Sequence, residues 1–119
     1  MVADGHKLAR DSSAPTYASV VSRESVRILF TIASLNDLDV MAADISNAYL
    51  NAPCGEKLWI RCGPEFGPSF EGRIAILEKA LYGLATAGRS WRDFCASMLR
   101  DELGFVPCKA DNEIGRAHV

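Results

Sequence analysis

The sequence predicts an α+β fold in which two main helices pack on a small, mostly antiparallel sheet. Two stretches of helical apolar spacing flank a pair of short alternating segments, KLWIR and RIAIL, which are separated by a Gly- and Pro-rich connection. Strands adjacent in sequence that pair as a hairpin favour α+β layering over a doubly wound parallel sheet. At 119 residues the chain has room for one domain or part of one.

The opening reads as a short extended start at Val2 and Ala3, then a surface loop through Asp11, Ser12, Ser13 and Pro15. Ser22 is a fitting N-cap for the first helix, with Glu24 in its first turn. Val26, Leu29, Phe30 and Ala33 line one side of it, and Ile28, Ile32 and Leu35 another, so the helix should be buried on most faces. Asn36 and Asp37 end it. The apolar run LDVMAAD then predicts a central strand with Asp44 at its C-terminal end.

Ser46 to Leu50 reads as a short helical turn, and Pro53, Cys54 and Gly55 break the chain before KLWIR. GPEFGPSFEG connects that strand to its returning partner, which alternates from Ile74 through Leu77. In the last helix Trp91, Phe94, Cys95, Met98, Leu99 and Leu103 form one stripe, and Gly104 closes it. Phe105 and Val106 begin a further strand that Pro107 limits. The polar run KADNE ends the structured reading.

Composition narrows the function classes. Apolar residues make up 49% and charged residues 24%, a globular balance that excludes disorder and fibrous repeats. A net charge of −2 argues against an autonomous nucleic-acid binder, which needs an excess of Lys and Arg on one face. The densest apolar run, Val26 to Leu35, is interrupted by Arg27, Thr31 and Ser34 and falls short of the roughly 20 residues that span a bilayer. With no apolar segment behind the first positive charges, a soluble, non-secreted chain is expected. Cys54, Cys62, Cys95 and Cys108 form no C-x-x-C pair, and neither His6 nor His118 stands at metal-ligand spacing from them, so free, mostly buried thiols are expected.

Chemistry concentrates in AADISNAYLNAP. A carboxylate closing an apolar strand is costly unless backbone N–H groups or a cation satisfy it. Asp44 can therefore cap the turn that begins at Ile45, or hold Mg²⁺, a hard ion suited to carboxylate oxygen. Tyr49, five residues on, is by itself more consistent with core packing than with a ligand contact.

Six stretches in order, VADGH, TYASVVSRESVR, LNDLDVMAADISNAYLNAP, EKLWIRCGPEFG, ALYGLATAGRSW and LGFVPCKAD, resemble the reverse transcriptase of copia-type retrotransposons, covering Val2 to about Ile114. The resemblance implies part of the fingers and palm of a right-hand polymerase. It also implies an RNA-directed DNA polymerase that uses two Mg²⁺ ions. Asp44 matches the first of three catalytic aspartates, and the Ile45 carbonyl would join one metal. Asn47 and Ala48 match backbone donors to the triphosphate, and Tyr49 the aromatic gate beneath the sugar. ALYGLATAGRSW resembles the second nucleotide-side motif, with Gly83 in its turn and Arg89 beside the nucleotide. Trp91 is read there as helix packing. Family members often carry Lys-Gln-Ala-Ser where Ala85, Thr86, Ala87 and Gly88 stand, so a basic contact is expected to be absent. The implied partners are an RNA or DNA template-primer, deoxynucleoside triphosphates and the remainder of the Pol polyprotein. The implied compartment is a cytoplasmic virus-like particle.

The Tyr-x-Asp-Asp hairpin that supplies the family's other two aspartates does not occur in the sequence. A polymerase fragment inactive alone is therefore expected, with Met1 an internal methionine or a chance start and the native domain spanning residues 2–113. The alternative is a non-catalytic nucleic-acid-binding or interaction module retained by a host. Ile114-Gly-Arg-Ala-His-Val reverse-translates to ATC GGA AGA GCA CAC GTC, which is similar to a common sequencing-library adapter, so residues 114–119 are expected to be a non-native tail.

Overall fold

A computed structural model describes residues 13–117. The extended start at Val2 and Ala3, the VADGH match, His6 and His118 lie outside the described residues. The elements run α1 (Arg23–Leu35), α2 (Ala48–Asn51), β1 (Trp59–Arg61), a 3₁₀ turn (Pro64–Phe66), β2 (Ile74–Ile76), α3 (Ala87–Asp101), β3 (Phe105–Pro107) and β4 (Gly115–Ala117). The α+β class holds. The single small sheet does not: the described residues form two separate two-stranded antiparallel sheets, β1–β2 and β3–β4.

The described residues divide into two compact units, one of residues 13–17 and 47–94, the other of residues 18–46 and 95–117. The first unit is built around the predicted hairpin. Trp59 pairs with Ile76, Ile60 with Ala75 and Arg61 with Ile74. Beyond the strands the same antiparallel course continues, with the Leu77 N–H donating to the Leu58 carbonyl at 3.0 Å and the Cys54 N–H to the Glu78 carbonyl at 2.8 Å. Ala52, Ala80, Leu84 and Ala87 form the buried core, with Tyr49, Trp91 and Phe94 packed against it. Small side chains at the centre let the backbones of the hairpin and the start of α3 approach closely. Trp91 and Phe94 sit 6.2 Å apart, ring to ring, which bears out the packing role read for Trp91.

The second unit holds α1, capped as predicted. The Ser22 hydroxyl accepts from the Ser25 N–H at 3.1 Å. At the other end Asp37 takes a left-handed φ of 53°, and the Leu38 N–H donates to the Ala33 carbonyl at 2.9 Å. That is the bonding of a helix stopped by a left-handed residue, a conformation Asp tolerates.

The predicted burial of α1 is overturned, since no residue of the helix is buried and Ile28, Phe30 and Leu35 are 59%, 57% and 80% exposed. Amphipathic spacing shows which face would be covered; it does not supply the covering surface. The central strand is overturned as well. Residues 38–45 carry no strand assignment, and Met41 is 95% exposed. An apolar run becomes a strand only when a neighbour completes its hydrogen-bond ladder, and among the described residues none does.

The polar run at 109–113, read as the end of useful structure, instead links β3 to β4. Phe105 pairs with Ala117, Val106 with Arg116 and Pro107 with Gly115. All four cysteines are free, but only Cys62 is buried, so the expectation of mostly buried thiols is corrected. Among the described residues no helix is long and apolar enough to cross a membrane.

Candidate nucleotide site

Of the seven residues singled out in the sequence, Asn47, Ala48, Tyr49, Gly83 and Arg89 fall in the first unit, whereas Asp44 and Ile45 fall in the second. Both Asp44 and Ile45 are exposed and lie in irregular chain. Asp44 does not cap α2. That helix begins at Ala48 with Asn47 as its N-cap residue, three positions past the carboxylate.

Asn47 has φ 51° and ψ 45°, a left-handed conformation that Asn accepts more readily than most side chains. It therefore stands at the cap of the turn, not inside it as the sequence suggested. Its carbonyl accepts from the Leu50 N–H at 2.9 Å and from the Asn51 side-chain amide at 3.1 Å. These bonds hold the turn that presents Tyr49.

Tyr49 stacks on Tyr82, with ring centroids 4.6 Å apart and planes 22° from parallel. Gly83 follows with φ 94°, a backbone conformation that penalises any Cβ, and the Leu84 N–H closes the turn onto the Leu81 carbonyl at 3.3 Å. The Ala87 N–H then donates to the Leu84 carbonyl at 3.2 Å as α3 begins. The glycine-containing turn leading into a long helix is thus present.

Thr86 is buried, and its hydroxyl donates to the Glu56 carboxylate at 3.0 Å. This bond ties the Gly55–Lys57 loop to the start of α3. Arg89 is engaged both within its own helix and outside it: its Nε donates to the Asp93 carboxylate at 2.6 Å, and a further nitrogen to the Tyr17 carbonyl at 3.3 Å. The hydrogen bond from Arg89, helped by Arg92, holds the Asp93 carboxyl below the usual carboxylate range.

Sequence reasoning missed Tyr82, Thr86 with Glu56, and Asp111. Tyr82 precedes a turn and belongs to no periodic stripe. The Thr86–Glu56 bond joins residues 30 apart, and pairs so distant leave no local pattern. Asp111 accepts from the Ser22 N–H at 3.1 Å and the Glu113 N–H at 3.0 Å. The bond from Ser22 foremost, then one from the Ser25 side chain and that from Glu113, lower its pKa. An aspartate in a polar run was its only mark in the sequence.

Among the described residues no group of three or more His, Cys, Asp or Glu side chains is placed to hold a metal ion. The residues present therefore do not fit a complete two-metal centre.

Residues 1–115 match the family described as reverse transcriptase (RNA-dependent DNA polymerase). Among curated proteins, the chain is 35% identical over 94 residues to the Transposon Ty1-BL Gag-Pol polyprotein of Saccharomyces cerevisiae, covering 75% of this chain and 5% of that one. The Transposon Ty1-DR4 Gag-Pol polyprotein of the same yeast is likewise 35% identical over 94 residues, covering 75% of this chain and 6% of its own length. The chain thus spans about one-twentieth of the length of these relatives. No solved structure matches it.

Proposed function

The chain belongs to the reverse transcriptases of copia-type retrotransposons, and from that premise we propose that it is a portion of the fingers and palm whose parent polymerase copies RNA into DNA. The family match over residues 1–115, spanning the AADISNAYLNAP and ALYGLATAGRSW motifs, is the observation that supports this reading best.

In the complete parent, Asp44 would supply one carboxylate to magnesium and the Ile45 carbonyl a further oxygen. The ions provide Lewis-acid stabilisation of phosphoryl transfer when bound. One carboxylate does not hold two magnesium ions, so polymerisation belongs to the complete enzyme and this chain alone is inactive. The partners are the template-primer, deoxynucleoside triphosphates and the rest of the Pol polyprotein, in a cytoplasmic virus-like particle.

Within this chain the residues act by positioning. Asn47 and Ala48 present backbone to the triphosphate, and Gly83 allows the turn that brings the second motif beside it. Tyr49 is the gate against a 2′-hydroxyl. The stack on Tyr82 and the packing on the alanine core support that role, because a gate has to resist displacement. Arg89 serves the nucleotide only when it leaves Asp93. We further propose that residues 114–119 are foreign to the parent domain of residues 2–113; against this, the family match runs to residue 115 and Gly115–Ala117 pair with β3. Genomic sequence continuing through those codons would refute the tail assignment.

Primer extension with Mg²⁺ tests the whole reading. The complete polymerase should extend a primer on an RNA template, and the 119-residue chain should not. Template-directed incorporation by the short chain, or none by the complete enzyme, would overturn the proposal.

A further inference from the structure

The stacked partner of Tyr49 carries an inference that rests on the gate reading above. The Tyr49–Tyr82 geometry falls in the offset-stacked range that aromatic pairs prefer. Backbone hydrogen bonds hold the pair in register from both sides. The Ala80 N–H donates to the Ala52 carbonyl at 3.0 Å, and Pro53 bridges Lys79 in antiparallel fashion. The clamp thus begins three residues after Tyr49 and ends two before Tyr82. Beyond Tyr82, the left-handed Gly83 fixes the direction in which the chain turns. Ala52 and Ala80 are 0% and 1% exposed, so the layer behind Tyr49 is filled. Tyr82 itself is 37% exposed.

We infer that Tyr82 is a positioning residue for sugar selection, holding the Tyr49 ring in place by stacking on it. A ring excludes one hydroxyl only while it cannot swing aside. Tyr49 has two side-chain torsions, and its ring packs against the alanine core while staying partly exposed. Tyr82 supplies the opposing surface, through its ring face and not its hydroxyl.

The test is single-nucleotide incorporation by the complete polymerase, comparing kcat/KM for deoxy- and ribonucleoside triphosphates. Tyr82→Leu should lower the preference for the deoxy sugar about two- to tenfold, the range an aromatic contact can supply, mainly through a lower ribonucleotide KM. Tyr82→Phe should restore it, and Tyr82→Leu should add nothing once Tyr49 is alanine. If Tyr49→Ala relaxes selectivity and Tyr82→Leu does not, the inference is overturned while the gate stands. If neither variant changes it, the gate reading falls and takes the inference with it. A stability double-mutant cycle on the 119-residue chain reads the contact without activity; zero coupling between the two tyrosines would overturn the inference.

Discussion

Arg89 and Asp93 face each other one helical turn apart on α3, with Nε and Oδ2 separated by 2.6 Å. Their side chains are 39% and 46% exposed, so solvent screens the pair and its worth is that of a surface contact. The bond still occupies the cation that the family motif suggests for the nucleotide.

Asp93→Asn should accordingly destabilise the chain by only about 0.3–0.5 kcal/mol at low salt and less at high salt, as measured by urea unfolding. In the complete polymerase the same change should lower the KM for deoxynucleoside triphosphate, because Arg89 no longer has to leave a carboxylate. An unchanged KM would assign Arg89 to the helix and remove it from the nucleotide site.

Asp44→Asn separates chemistry from folding. The carboxylate is exposed, and the substitution preserves side-chain size, so the melting curve of the chain should shift by no more than about 0.5 kcal/mol. Primer extension by the complete polymerase should fall at least about a hundredfold, because an amide oxygen is a weaker partner for a hard dication than a carboxylate. Retained extension would leave Asp44 with no catalytic role.

Gly55 sits against Ser90: a Cβ built on it would lie 2.6 Å from the Ser90 hydroxyl oxygen. Gly55→Ala should destabilise the first unit by about 1 kcal/mol, unless the serine rotates away. In a Ser90→Ala background the clash is absent, and Gly55→Ala should be neutral or slightly stabilising through the reduced freedom of the unfolded chain. Thermal unfolding of the four proteins checks the cycle. An equal loss in both backgrounds would mean that Gly55 is required for its backbone and not for the space it leaves.

Local rules made part of this molecule readable. Ser22 as a cap, Asp37 as a stop and the Gly83 turn each follow from residues acting within a few positions of themselves, and the Trp59–Ile76 hairpin from alternation in two neighbouring segments. The strand at 38–44 and the burial of α1 did not emerge, because both depend on surfaces from elsewhere in a fold. Val40 and Met41 have strand-like apolarity with no partner among the described residues. For the candidate site, motif order indicated Asp44 and Tyr49, but Tyr82 became visible only when three-dimensional pairing set it on Tyr49.

Asp111 makes the start of α1 sensitive to acid. Its carboxylate accepts from the N–H groups of Ser22 and Glu113, and those bonds favour the ionised form, so its pKa is lower in the folded chain than in the unfolded one. The resulting stabilisation is fully present above the unfolded value of about 3.9 and is lost as pH falls through the lowered folded value. Ser19 donates to the Glu113 carboxylate, and Glu24 stands in the first turn of α1, so two further carboxylates lie near the start of the helix. The contribution of Asp111 is therefore the difference between the parent chain and Asp111→Asn. Amide exchange at Ser22 and Glu113 should be slower in the parent than in the variant at about pH 5 to 7, and the two should converge once the pH has fallen through the lowered folded pKa of Asp111. If the protection difference persists in acid, Asp111 acts through its shape as a hydrogen-bond acceptor and not through its charge.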